Sequence, residues 1–325
     1  SNVRVPEQTI GDIMAMVASN EVAARRLLEL MEEFALEDMD ELSREVNSRS
    51  EEAMRAAIAE IPDGTYSHSA VMDGYEEPIQ IRAAVTVSGT DITVDFTGSS
   101  PQNQRGINSV MNYTYAYTAY PLKCITNPTV PNNSGCFRPI KVTAPEGSIV
   151  NARFPAAVNL RHFTGHMAHA VIFGALAHVA PHGVMAYSGS APLWFPAFIG
   201  RGRRGEPFVQ FITANGGTGA YPAKDGEVCS YPSNLSNIPI EMVENYAPIL
   251  VEAKELIPNS AGAGRYRGGW GQRIAIRSCS EEPIKLGISV DRIKNPALGL
   301  LGGKNGATGS VTINGAALPF SKGVT

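Results

Sequence analysis

Between Gln210 and Asn245 the sequence reads QFITANGGTGAYPAKDGEVCSYPSNLSNIPIEMVEN, and this stretch constrains the fold more than any other. An apolar strand collapses into Asn215-Gly216-Gly217-Thr218-Gly219, and a second turn follows at Asp225-Gly226. Glycines let a backbone pass close to a ligand or to another backbone, and they are costly elsewhere. Pro239, preceded by Asn237, marks a helix start. Glu241 and Glu244, three residues apart, share one face of that helix. Two interpretations stand side by side. The segment is a binding or catalytic site, or it is a tight strand–turn–helix connection whose carboxylates sit where the helix dipole favours them.

The chain opens differently. Thr9 and Asp12 have the spacing of a capping box. Apolar residues then recur at helical intervals from Ile10 to Met31. A second helix is expected from about Asp38 to Glu60, ended by Pro62-Asp63-Gly64. The two form an expected helical hairpin over residues 1–64. A hairpin covers only one side of a sheet, so its apolar residues are expected to serve an interface as well as the fold.

From Thr65 the period becomes two. TYSHSAVMD, PIQIRAAVTV and DITVDFTG predict a three-stranded antiparallel meander. Residues 107–126, with Tyr113, Tyr115, Tyr117 and Tyr120, predict a buried helix. Strands are expected near 140–143 and 148–152. Residues 159–183 predict a long helix holding five of the six histidines. His162, His166 and His169 lie at i, i+4 and i+7, on one face, a spacing compatible with metal ligation by imidazoles. No Asp or Glu lies inside that helix and HExxH is absent, so packing or loop hydrogen bonds are the alternative. Arg161, a cation at a helix start, opposes the dipole and points to a carboxylate or other anionic partner.

Further strands are expected at 248–257, 273–280, 285–290 and 310–315. The glycine loop NSAGAGRYRGGWGQ lacks GxGxxG, and the glycines of 302–306 lack GK[ST]. Together these predict an α+β fold, a mixed domain over 65–325 in which sheet layers pack with a few long helices. A net charge of −4, with one short basic cluster at Arg201, Arg203 and Arg204, excludes nucleic acid as an expected partner. No apolar run reaches 18 residues, so no membrane span is expected. Four cysteines without CxxC spacing are expected to be reduced thiols of a cytoplasmic protein.

Five segments in order, VDFTGSSPQ (94–102), PNNSG (131–135), GGTGAYPAKDG (216–226), SNLSNIPIEMVE (233–244) and SAGAGRYRGGWG (260–271), resemble the hydantoinase B/oxoprolinase family. Two departures stand out: NSAGAG carries Ala261 where the family has glycine, and His169 stands where relatives often have an acid. The resemblance implies a subunit or fragment of an ATP-dependent cyclic-amide hydrolase of the N-methylhydantoinase/5-oxoprolinase type. It implies a hetero-oligomer with a hydantoinase A-like, actin-like ATPase subunit. A subunit of an acetone/acetophenone-type carboxylase, or a non-catalytic assembly portion, are the alternatives. ATP and a divalent metal are implied for the full complex, none bound by this chain alone. The metal-contributing region of carboxylase relatives lies upstream of the matching segments, so the isolated chain is expected to be inactive. The candidate catalytic residues are Glu241, Glu244 and Asp225. The candidate substrate contacts are Asn234, Asn237, Arg161, Gly216, Gly217 and Gly219.

Overall fold

The computed structural model describes residues 6–231 and 237–318. Alternation of apolar residues builds the main sheet. Strands β1 (Gly64–Met72), β2 (Ile79–Ser88) and β3 (Asp91–Asp95) form the expected antiparallel meander. A fourth strand, β4 (Ile140–Thr143), joins β3 in parallel, with Ile92 opposite Ile140 and Val94 opposite Val142. Ile79, Ile81, Ala83, Val85 and Val87 of β2, and Ile92 and Val94 of β3, alternate inward and are buried.

Two helices run between or after these strands: α3 (Met111–Thr126) and the central α5 (His162–Leu176). Every residue of α5 after His162 is buried. It packs on β1 and β2 on one side and on α3 on the other. A helix apolar all round is expected to be enclosed in this way. The core runs from the sheet through Phe163, Met167, Val171 and Leu176.

At the N-terminus α1 spans Pro6–Glu33 and α2 spans Asp40–Ile58. The helix is already formed at Pro6, so Thr9 lies inside it and does not cap it. The two helices differ in their role. Met54 and Ile58 of α2 are fully buried. The short α4 (Ser134–Phe137) docks on α2 through hydrogen bonds from Gly135 N to Asn47 Oδ1 (2.8 Å) and from Asn133 Nδ2 to Ser50 Oγ (2.7 Å). None of α1 is buried.

A second, smaller core lies under α6 (Ile240–Tyr246). Its centre is Phe208, Ile212, Val243, Ala247 and Ile249. Around it stand a three-stranded sheet of β5 (Ala197–Arg201), β6 (Pro207–Phe211) and β9 (Lys285–Gly287), and a ribbon of β7 (Ile249–Ile257) with β8 (Gly271–Ser278). The hairpin β10 (Thr312–Ile313) and β11 (Ala316–Ala317) follows near the end. Strand β5 is not expected from the sequence. The strand expected at 148–152 is instead a turn, with isolated bridges from Ser148 to Pro101 and to Asn151.

Candidate functional site

Helix α5 carries its three histidines on the face turned toward α3 and the loops beyond β6. His162 and His166 have ring centres 5.5 Å apart, and His166 and His169 6.3 Å. Tyr117 of α3 lies 5.5 Å from His166, and Tyr231 lies 4.7 Å from it on the other side. The backbone N–H of Leu193 donates to His166 Nδ1 at 3.4 Å. The ring proton is therefore on Nε2, which lies 3.3 Å from the Tyr117 hydroxyl. Burial drives the three imidazoles toward the neutral form. It holds His162 at about 4, with the charge of Arg161 adding to the effect. It also holds His169 at about 4, assisted by Arg292. Burial places His166 well below its usual range, with its two histidine neighbours contributing.

The result is a face of neutral imidazoles and aromatic rings inside the protein. His162 Nε2 and the Tyr231 hydroxyl are buried there with no hydrogen-bond partner among the described residues. Buried polar groups of this kind are normally satisfied. Such a face suits a neutral polar ligand such as an amide better than an ion. Both nitrogens of His166 face protein groups, and no set of three His, Cys, Asp or Glu side chains is arranged to hold a metal among the described residues.

The glycine loops adjoin this face through Tyr231 and Ser190. Ser190 Oγ donates to Ser230 O (2.8 Å), and Ser230 N donates to Gly216 O (3.2 Å). Gly217 O accepts from Gly189 N at 3.0 Å. A Cβ on Gly217 would stand 2.0 Å from the carbonyl oxygen of Gly269, so this glycine lets two backbones touch. Thr218 N donates to Glu227 O (2.9 Å) and Gly219 N to Ser188 Oγ (3.0 Å). These N–H groups are thus engaged within the protein.

Of the residues singled out in the sequence, Asn237 joins the glycine loop. Its Oδ1 accepts from Asn215 N (3.1 Å), and its Nδ2 reaches Gln272 Oε1 at 3.4 Å. Gln272 Nε2 in turn donates to Asn215 O (2.6 Å). The others are committed to separate neighbours. Asp225 pairs with Arg267, accepting from its backbone N–H (3.0 Å) and its Nε (3.1 Å). Glu244 Oε1 accepts from Val251 N at 2.8 Å, bracing the start of β7 against α6. Glu241 is exposed on α6. Arg161 is exposed at the start of α5, its guanidinium 5.1 Å from the Tyr113 ring centre and donating to Val158 O at 3.3 Å, so its partners are an aromatic face and a carbonyl. Asn234 lies outside the described residues.

Sequence reasoning does not single out Tyr231, Ser190 or Gln272. Tyr117 leaves one trace, its i, i+4 spacing from Tyr113, and the two rings do stack at 4.7 Å. The four cysteines are all free. No helix among the described residues is long and apolar enough to cross a membrane.

Comparison with known proteins places the chain in a lineage. Residues 1–323 match the family described as hydantoinase B/oxoprolinase. A protein of Pseudomonas sp. (strain NS671), provisionally named as the B subunit of a D-/L-hydantoinase, is 33% identical over 96% of this chain and 55% of its own length. The beta subunit of the caprolactamase of Pseudomonas jessenii is 28% identical over 94% of this chain and 54% of its own. The chain thus spans about half the length of these relatives. The crystal structure of the ATP-dependent caprolactamase from Pseudomonas jessenii superposes on all of this chain and 60% of the compared chain, with a TM-score of 0.81 at 23% identity. At that identity the likeness establishes the fold, a mixed α+β architecture of several sheets and helices. On the match of nearly its whole length, the chain belongs to the hydantoinase B/oxoprolinase family.

Proposed function

We propose that this chain is part of an ATP-dependent cyclic-amide hydrolase of the N-methylhydantoinase/5-oxoprolinase type, working with an actin-like ATPase subunit. The observation that carries this is the family match over residues 1–323, joined to 33% identity with a protein provisionally named as a hydantoinase B subunit. The neutral imidazole–tyrosine face supports it, because a lactam or hydantoin ring is uncharged, planar and polar. In this proposal His162 Nε2 and the Tyr231 hydroxyl meet the ring's amide group. The Asn215–Asn237–Gln272 hydrogen bonds keep the adjoining glycine loop in place. ATP, bound elsewhere in the complex together with a divalent metal, supplies the phosphate that activates the amide oxygen.

A proton acceptor for the attacking water is the remaining need, and Glu241, exposed on α6, is the acid proposed for it. Glu244 is already spent on Val251. The deciding experiment is reconstitution of the full-length complex by co-expression with a hydantoinase A-like ATPase subunit, followed by assay of lactam-dependent ATP hydrolysis. Glu241→Gln is expected to lower turnover by roughly 10²–10⁴-fold with an unchanged melting curve. Glu244→Gln keeps an acceptor oxygen for Val251 and is expected to stay within a few-fold of wild type. Wild-type turnover in both variants would reduce the pair to helix-start stabilisation worth about 0.3–1 kcal/mol. ATP turnover that needs a ketone and bicarbonate, not a lactam, would replace this function with a carboxylase.

A further inference from the structure

The imidazole face has an aromatic flank that does not belong to α3. The ring centre of His162 lies 6.3 Å from that of Phe195, and Phe195 lies 5.6 Å from Phe211. Exposure is graded along this row. Tyr231 and His166 are each 2% exposed, His162 and Phe195 are half-buried, and Phe211 is 45% exposed. The row therefore joins the surface to the two unpartnered polar atoms, His162 Nε2 and the Tyr231 hydroxyl.

The local sequence explains the placement. Strands β5 and β6 pair antiparallel with Ala197 opposite Phe211. The ladder then continues irregularly: Ile212 N donates to Pro196 O (3.0 Å) and Ala214 N to Trp194 O (3.1 Å). Phe195 and Phe211 are thus diagonal cross-strand neighbours on one face of the hairpin. The basic turn of the same hairpin is at its other end. Arg201 pairs opposite Pro207, roughly 13 Å along the strand from Ala197. Arg161 is occupied with Tyr113 of α3. Neither cation stacks on Phe195 or Phe211 among the described residues.

Apolar walls beside a few oriented polar groups are the pattern of a small-molecule site. We propose that Phe195 and Phe211 are specificity-determining residues, and that the substrate is a cyclic amide whose ring carries an aromatic substituent. The ring amide meets His162 and Tyr231, and the substituent stacks on the two phenyl rings. This rests on the cyclic-amide function proposed above and narrows it. Aromatic pairs gain from offset or edge-on stacking beyond the area they bury. A carboxylate in the same position is desolvated with no cation to meet it, which is costly. The geometry therefore selects against an acidic ring.

The reconstituted complex tests this on one ring with three substituents: 2-pyrrolidinone, its 5-benzyl derivative, and 5-oxoproline, which carries a carboxylate. The wild type is expected to favour the benzyl ring over the unsubstituted one by at least ~10-fold in kcat/KM, and over the acid by more. Phe211→Ala is expected to reduce that preference about 10-fold, through KM, with an unchanged melting curve because the side chain is already 45% exposed. Phe211→Leu keeps an apolar wall and most of the preference, and Phe211→Arg shifts it toward the acid. Equal use of the benzyl and unsubstituted rings by the wild type overturns the inference and leaves the cyclic-amide function standing. So does a Phe211→Ala variant that keeps the preference, or one that loses all three substrates alike, which would make Phe211 a residue of folding or subunit contact. A complex that turns over no lactam removes the function and this inference with it.

Discussion

Asp73 shows how much of this fold rests on single residues. It lies at the turn after β1, 3% exposed. Its carboxylate accepts from Ile293 N (2.7 Å), Lys294 N (3.2 Å), Asn295 N (2.8 Å) and Asn295 Nδ2 (2.8 Å). Burial alone raises its pKa, but these hydrogen bonds to the charged form outweigh burial and the net shift is downward. A folded-state pKa below the unfolded value of 3.8 stabilises the protein fully above that value. That stability is lost as pH falls through the lower folded pKa. Asp73→Ala is expected to cost about 1–3 kcal/mol in urea unfolding, since it removes the charged acceptor of several half-buried N–H groups. None of this is visible in the sequence. Asp73 merely ends a predicted strand and DRIKNP carries no motif, because partners more than 200 residues apart leave no local pattern.

At the scale of elements, the histidine helix is legible in outline. Its existence, its apolar surroundings and the shared face of His162, His166 and His169 follow from spacing alone. Its extent does not: spacing predicts 159–183, and the helix spans His162–Leu176. Nor does spacing tell whether the face binds metal or packs, because that depends on the groups α3 and the loops bring to it. Those groups include cations (Arg161 and Arg292) and tyrosines (Tyr117, Tyr120 and Tyr231). The pH consequence is definite. The unfolded chain takes up protons near the ordinary histidine value of 6.5, while His162 and His169 resist until about 4. Stability is therefore expected to be flat above that range and to fall as pH drops from 6.5 toward 4. Thermal melts across pH 4–7 check this, and His169→Gln is expected to flatten the slope. The glycine loops are equally half-legible. Their glycines are plain in the sequence, but not that Gly217 faces Gly269. Gly217→Ala is expected to destabilise the fold by about 1–3 kcal/mol, as overpacking does, measured by urea unfolding.

At the scale of the whole molecule, the period-two stretches reveal the meander, whereas the parallel β3–β4 pairing is hidden because a connection carrying α3 and α4 separates the strands. Helices α1 and α2 also look like equals in the sequence. Packing separates them: α2 puts Met54 and Ile58 into the core, and α1 puts nothing there. Removing residues 6–33 therefore takes away no buried side chain of α1, and the rest is expected to keep its circular dichroism and cooperative unfolding. Thermal melts of the intact and shortened chains check this, and the two are expected to differ by no more than a few degrees. A shortened chain that melts much lower would mean that α1 stabilises the single chain through surface contacts such as the hydrogen bond from Gln8 Nε2 to the Tyr246 hydroxyl (3.3 Å).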